Sequence, residues 1–199
     1  MSIHPIESES YRILEQRVDL SAFPPLSRAV VARVVHASAD VELAASMVLD
    51  EGVLEEAVRK LRAGAPVVTD VRMVAAGLVL PAHCFLDRVG ADAQPTRSAA
   101  AIRVAAAEHR RGAVFVIGCA PTALTELVAL SADGGVEPAL VIGLPVGFVG
   151  AAESKTLLRD SGLPAVTNVG EKGGSAVAAA ALNALARAAG MTGTGGDDA

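Results

Sequence analysis

The chain has 199 residues, a formal net charge of −5 at pH 7, no Trp and only 3% aromatic residues. This length suits one domain of ordinary size, or at most two small ones, and an apolar fraction of 52% is enough to build a sizeable core. Scarce aromatic residues and an acidic balance without a basic run argue against a nucleic-acid partner, which needs stacking platforms and phosphate contacts.

The cysteines and the apolar runs bear on where the protein works. Cys84 and Cys119 stand far apart and form no CxxC, which argues against a zinc ribbon or a disulfide scaffold and favours a reducing cytoplasm. The start, MSIHPIESES, has no basic segment followed by an apolar stretch, so we expect no signal peptide. The apolar runs are short and interrupted by Gly, Pro or charge, so we expect no membrane span.

The first third of the chain has the spacing of helices. Amphipathic patterns predict helices over 6–20 and 26–36, separated by Pro24 and Pro25. A further helix is expected to end at 48, with Ser38 or Asp40 as its N-cap, and another over 51–62 is closed by Gly64. The N-terminal section is therefore predicted to be helical.

After residue 64 the pattern changes to short apolar runs alternating with helical segments. Five runs have the character of buried strands: APVVTD, AHCFLD, AVFVIG, PALVIG and PAVTNV. The helical segments between and after them are 97–110, 121–132, 150–159 and 174–188. This alternation predicts an α/β protein, a three-layer αβα fold with a mostly parallel sheet of about five strands. We expect a single domain over 1–188 and a disordered tail over 189–199.

Ligands of such sheets bind at the carboxyl ends of the strands, where several Gly-rich polar segments follow. Known signatures do not identify the ligand, since GEKGGSA is not a phosphate loop, GLPVGFVG is not GxGxxG, and neither GxSxG nor HExxH occurs. Asp70 fits either an N-cap or a site residue. Arg97 fits either a surface group or an anion clamp beside a helix capped by Thr96 or Ser98.

Several segments, taken in order, carry a resemblance to one family. They are SYRILEQRVDLSAF, ARVVHASADVE, LRAGAPVVTDVRMVAAG, PTRSAAA, IGCAPTAL, GLPVGFVGAAESK and GGSAVAAAALNALAR. Over residues 5–188 the chain resembles the precorrin-8X methylmutase (precorrin isomerase) family of cobalamin biosynthesis. It departs from the family pattern at 37–40, where Cys or Ser followed by Gly is usual. It also has Cys119 where Asn is common and Thr69 where Cys is common.

The resemblance implies an isomerase that moves a methyl group within ring C of precorrin-8X and yields hydrogenobyrinic acid, without an organic cofactor or a protein-bound metal. It also implies a homodimer with pockets near the subunit interface, which binds an anionic tetrapyrrole handed over by neighbouring pathway enzymes. Two alternatives stay open, a cobalt-precorrin-8 methylmutase and a non-catalytic tetrapyrrole carrier. The implied catalytic residue is His36. The implied substrate-binding residues are Ser10, Arg33, Thr96, Arg97, Gly147 and Phe148.

Overall fold

The structure is a computed structural model, and it describes residues 4–191. Within these residues lie nine α-helices and six β-strands. The helices are α1 (Pro5–Arg17), α2 (Pro25–Ser38), α3 (Glu42–Ser46), α4 (Glu51–Arg62), α5 (Arg72–Ala76), α6 (Arg97–Glu108), α7 (Pro121–Ala132), α8 (Ala151–Asp160) and α9 (Ser175–Ala188). The strands are β1 (Met47–Val48), β2 (Val67–Thr69), β3 (His83–Cys84), β4 (Val114–Ile117), β5 (Leu140–Gly143) and β6 (Ala165–Asn168).

The strands form one sheet in the order β1-β6-β5-β4-β2-β3. Every pairing is parallel except that of β1 with β6, where Met47 lies opposite Asn168. The prediction of a mostly parallel sheet is confirmed, and the sheet has six strands where about five were expected.

Helices cover both faces of the sheet because the residues of β4 alternate between two apolar clusters. Val114 and Val116 belong to a core shared with α1, α2, α4 and α9. Phe115 and Ile117 belong to a second core shared with α6, α7 and α8. The predicted three-layer αβα fold is therefore confirmed.

Helix α9 lies between the sheet and α2. Nine of its 14 residues are buried. Six of these are alanines: Ala178, Ala179, Ala180, Ala181, Ala184 and Ala186. Helix α2 packs chiefly on α9, which in turn packs on β4 and β5. Small side chains allow this close stacking of helix on helix on sheet.

Local sequence signals determine where some helices end, whereas strand pairing with residues distant in sequence determines where others end. Helix α4 is as predicted, because the Asp50 side chain accepts from the Val53 N–H at 3.0 Å and Gly64 adopts a positive φ of 85°. The prediction of a helix that continues to residue 48 is wrong. Helix α3 stops at Ser46, and the next two residues form β1 against β6. This strand depends on a partner about 120 residues away, so the local pattern does not contain it.

The end of α9 is anchored to α4. The Arg62 guanidinium donates to the carbonyls of Ala188 at 2.9 Å and Ala189 at 3.2 Å. The Met191 N–H donates to Ala186 O at 2.9 Å, and the Met191 side chain packs on the core. Of the tail predicted for 189–199, residues 192–199 lie outside the described residues.

Candidate functional site

The carboxyl ends of β2 to β6 meet at one edge of the sheet, which we call the rim, together with the loops that follow these strands. The C-terminal end of α2 is tied to the rim. Lys172, in the loop after β6, donates to Asp40 Oδ2 and Glu42 Oε2, each at 2.6 Å. His36 lies two residues before the end of α2 at Ser38, so this contact holds the His36 end of α2 beside the loop that follows β6.

His36 is fixed by two residues of α1. The Ser10 hydroxyl and His36 Nδ1 share a hydrogen bond of 2.9 Å. The Tyr11 ring stacks on the imidazole with centroids 4.8 Å apart and planes at 11°. The ring borders a cavity of about 90 Å³. Its lining residues are Ser10, Ile13, Leu14, Arg17, Val35, His36, Ala39 and Val41. The imidazole is thus held on two sides and faces a small opening.

Arg33, one turn before His36 on α2, belongs to the same group. Its Nη1 donates to Glu7 Oε1 at 2.6 Å and to the Tyr11 hydroxyl at 3.2 Å. The hydrogen bond from Arg33 lowers the pKa of Glu7 below its usual value, so this carboxyl is ionised at neutral pH. Arg33 therefore already binds one carboxylate, and among residues 4–191 no hydrogen bond uses its Nε and Nη2 donors, which can bind a second anion.

Thr96 and Arg97 lie at the start of α6, in the other helical layer. The Thr96 hydroxyl caps the helix by accepting from the Ala99 N–H at 3.2 Å, and it shares a 2.8 Å hydrogen bond with the Thr122 hydroxyl. Thr96, rather than Ser98, is therefore the cap. The exposed Arg97 guanidinium donates to Leu86 O at 2.9 Å. This end of the rim carries a positive charge that no ion pair among the described residues neutralises.

Gly147 and Phe148 lie in the loop between β5 and α8. Gly147 adopts a φ of 150°, and its N–H donates to Glu171 O at 3.2 Å. Phe148 is 91% exposed and Val149 is 87% exposed. Phe148 is therefore not a core residue of the single chain, and it presents an apolar surface at the rim.

Asp70, which the sequence left between two roles, anchors a loop. Its buried carboxylate accepts from the N–H groups of Gly118 at 3.1 Å, Cys119 at 2.8 Å and Ala120 at 2.7 Å. Burial raises the pKa of Asp70, and the three N–H groups oppose that rise. The carboxylate shapes the turn from β4 into α7 without reaching the surface.

The structure thus brings Ser10, Arg33 and His36 into one hydrogen-bonded group. Thr96, Arg97, Gly147 and Phe148 lie at the same rim on other elements. Among residues 4–191 no hydrogen bond joins them to the first group.

Sequence reasoning missed three side chains that hold the His36 group and its helix in place: Glu7, Tyr11 and Lys172. A signal for the first two was present, because an i, i+4 spacing puts them on one face of α1. Nothing local pointed to Lys172, whose partners lie about 130 residues away.

The described part of the chain contains no group of three or more His, Cys, Asp or Glu side chains that could hold a metal ion. None of the helices between residues 4 and 191 is long and apolar enough to cross a membrane.

Comparison with known proteins gives one family. The family profile described as precorrin-8X methylmutase matches residues 5–188. A cobalt-precorrin-8 methylmutase of Methanothermobacter thermautotrophicus is 40% identical, over 92% of this chain and 91% of that protein. A precorrin-8X methylmutase of Sinorhizobium sp is 41% identical, over 92% of this chain and 93% of that protein. A solved structure of precorrin-8X methyl mutase from Thermus thermophilus matches with a TM-score of 0.84 at 38% identity, covering 94% of this chain and 98% of that chain.

Proposed function

This chain belongs to the precorrin-8X methylmutase family and is an isomerase of cobalamin biosynthesis, and from that premise we propose that it moves a methyl group within ring C of precorrin-8X. The product is hydrogenobyrinic acid. The observation that supports this substrate and mechanism most directly is the fixed imidazole of His36 at the rim, bonded to Ser10 and stacked on Tyr11.

His36 acts as a general acid and then as a general base. As the acid, the ring carries a proton on both nitrogens: Nδ1–H donates to the Ser10 hydroxyl, and the Nε2 proton passes to the substrate and later returns. A methyl shift needs no nucleophile, but a proton placed on the conjugated macrocycle draws electron density and eases migration. Such catalysis supplies about 10² to 10⁴ in rate. The remainder comes from holding the macrocycle in a reactive orientation.

Charged and apolar groups of the rim bind the substrate. Arg33 and Arg97 bind substrate carboxylates, since a guanidinium matches carboxylate geometry. Thr96 offers a hydroxyl beside Arg97. Gly147 and Phe148 cover a flat side of the macrocycle. Two arginines placed this way allow a protein of net charge −5 to bind a polyanion.

A second copy of the chain completes the pocket. The cavity beside His36, of about 90 Å³, admits only part of a tetrapyrrole. Phe148 and Val149 leave an apolar surface uncovered at the same rim. We therefore propose a cytoplasmic homodimer, supplied with its unstable substrate by neighbouring pathway enzymes. Phe148→Asp is expected to weaken the dimer in sedimentation experiments, and unchanged dimers would contradict this role.

The substrate could also carry cobalt. Relatives named for precorrin-8X and for cobalt-precorrin-8 match at nearly equal identity, 41% and 40%. We propose that the metal-free compound is the substrate, and the experiment supplies the protein with each of the two compounds.

The test follows the absorbance spectrum after the protein is mixed with precorrin-8X without air. The wild type and His83→Ala, which alters an exposed histidine on the edge strand β3, are expected to convert it. His36→Ala is expected to bind it but turn over at least about 100-fold more slowly. Near-normal turnover by His36→Ala would remove the proposed role. Binding without conversion by the wild type, for precorrin-8X and for its cobalt form, would indicate a carrier.

A further inference from the structure

We infer that Lys155 is a positioning residue of the isomerase site. From the protein interior, its ammonium holds the loop that joins the His36 end of α2 to the Gly147 segment. We call residues 169–174, between β6 and α9, the β6–α9 loop. The inference rests on the proposed function for its effect on turnover, and on contacts of the described residues for its effect on position.

Lys155 is a buried cation that forms no ion pair with any acidic residue between 4 and 191. It lies on the first turns of α8 and is fully buried. Its Nζ donates to Gly170 O at 2.9 Å and to Lys172 O. No carboxylate among the described residues pairs with it. Burial lowers the pKa of Lys155 to about 8. A methionine would fill the same space without burying a charge, so the function of this side chain lies in its donors.

The β6–α9 loop makes contacts in two directions. On one side the Lys172 ammonium bonds Asp40 and Glu42, just beyond the end of α2. On the other side Glu171 O accepts from the Gly147 N–H at 3.2 Å, and the Gly174 N–H donates to Leu144 O at 2.9 Å. The loop is therefore the direct link between the proton-donor side and the apolar side of the proposed pocket.

The loop fits tightly where Lys155 holds it. The loop passes so close to the β5–α8 segment that a Cβ at Gly173 would lie 2.3 Å from Leu144 O, so only glycine fits there. Without the ammonium, Lys172 O keeps a second donor, Asn168 Nδ2, at 3.0 Å. Gly170 O keeps none among the described residues. The Gly170 carbonyl is part-buried, and once it has lost its donor it is better satisfied by water, so the loop would turn outward and release its hold on α2.

The test compares Lys155→Met with Leu158→Ala. Leu158 is also on α8 and fully buried, but it packs in the second core and its side chain has no hydrogen-bond donor. Its truncation therefore reproduces a loss of stability without a loss of the donors. At a temperature where both variants are folded by circular dichroism, Lys155→Met is expected to lower kcat about 10- to 100-fold. Leu158→Ala is expected to keep kcat within about twofold of the wild type.

Tyr11 gives a second measurement that does not need turnover. The chain has one Tyr and no Trp, so fluorescence excited at 280 nm reports only the ring stacked on His36. Lys155→Met is expected to change this emission without ligand, and Leu158→Ala is expected to leave it unchanged. Lys172→Met, an exposed change that leaves the fold intact, should also shift the emission, but it should add little to Lys155→Met because both act through one loop.

The outcomes separate the two ideas. If the wild type converts substrate and Lys155→Met matches Leu158→Ala in both kcat and Tyr11 emission, the inference is wrong. If Tyr11 emission responds to Lys155→Met but the wild type converts neither the metal-free nor the cobalt substrate, the proposed function fails and the positioning role stands.

Discussion

Replacing Ser10 with alanine isolates the hydrogen bond that orients His36. The bond is 2.9 Å long and lies in a part-buried site. Such a bond contributes about 0.5–1.5 kcal/mol net. Since about 1.4 kcal/mol corresponds to a factor of ten in rate, Ser10→Ala should lower kcat about 2- to 12-fold. The loss follows because the imidazole can then rotate or exchange its ring proton.

The assay is single-turnover conversion of precorrin-8X, monitored by absorbance. Ser8→Ala is the matched control, because it removes a hydroxyl from an exposed position of α1 two residues earlier. The informative variant is the double change with His36→Ala. If Ser10 acts through the imidazole, removing its hydroxyl costs nothing further once His36 is absent. Equal rate losses in both backgrounds would refute this reasoning and assign Ser10 to direct substrate binding.

Three further predictions concern the rim. Arg97→Ala should fold normally and weaken tetrapyrrole binding about tenfold in a spectral titration. Arg111→Ala, at the amino end of β4, should leave the affinity unchanged. Equal affinities of the two variants would exclude Arg97 as an anion clamp. Gly173→Ala should lower the free energy of unfolding by about 1–3 kcal/mol, because its Cβ meets Leu144 O, and an unchanged Tm would contradict the contact. Between about pH 8 and 10.5 the unfolded chain binds more protons at Lys155 than the folded chain does. The free energy of unfolding of the wild type should therefore rise with pH relative to that of Lys155→Met. The slope is at most about 1.4 kcal/mol per pH unit. Parallel pH curves in urea denaturation would show that the Lys155 pKa is not lowered.

The layers of the fold could be read from sequence because each depends on local patterns. Apolar strands alternating with helices fix a parallel sheet with helices on both faces, and Asp50 and Gly64 mark the ends of α4. The strand at Met47 could not be found this way. Two residues carry no periodicity, and their state is set by pairing with β6.

The candidate site was predictable only in part, for a similar reason. His36 and Arg33 lie one turn apart on α2, so their shared face followed from helical spacing. The ion pair between Glu7 and Arg33 could not be predicted, since it depends on how α1 crosses α2. The same holds for the loop contacts of Lys155, which bridge two elements that are separate in sequence.

The alanines of α9 have a consequence for how this enzyme could be adapted. Helix α2, which carries His36, packs chiefly on α9, so the volume of the α9 side chains between them sets the distance between these two helices. Helix axes lie about 8–10 Å apart according to the side chains between them. Exchanging Ala for Gly or Val along the α2-facing side of α9 would bring α2, and His36 with it, closer to α9 or move it away by a fraction of that distance. Such exchanges would adjust the position of His36 in small steps to suit macrocycles with different substituents, and they would leave every residue of the site unchanged.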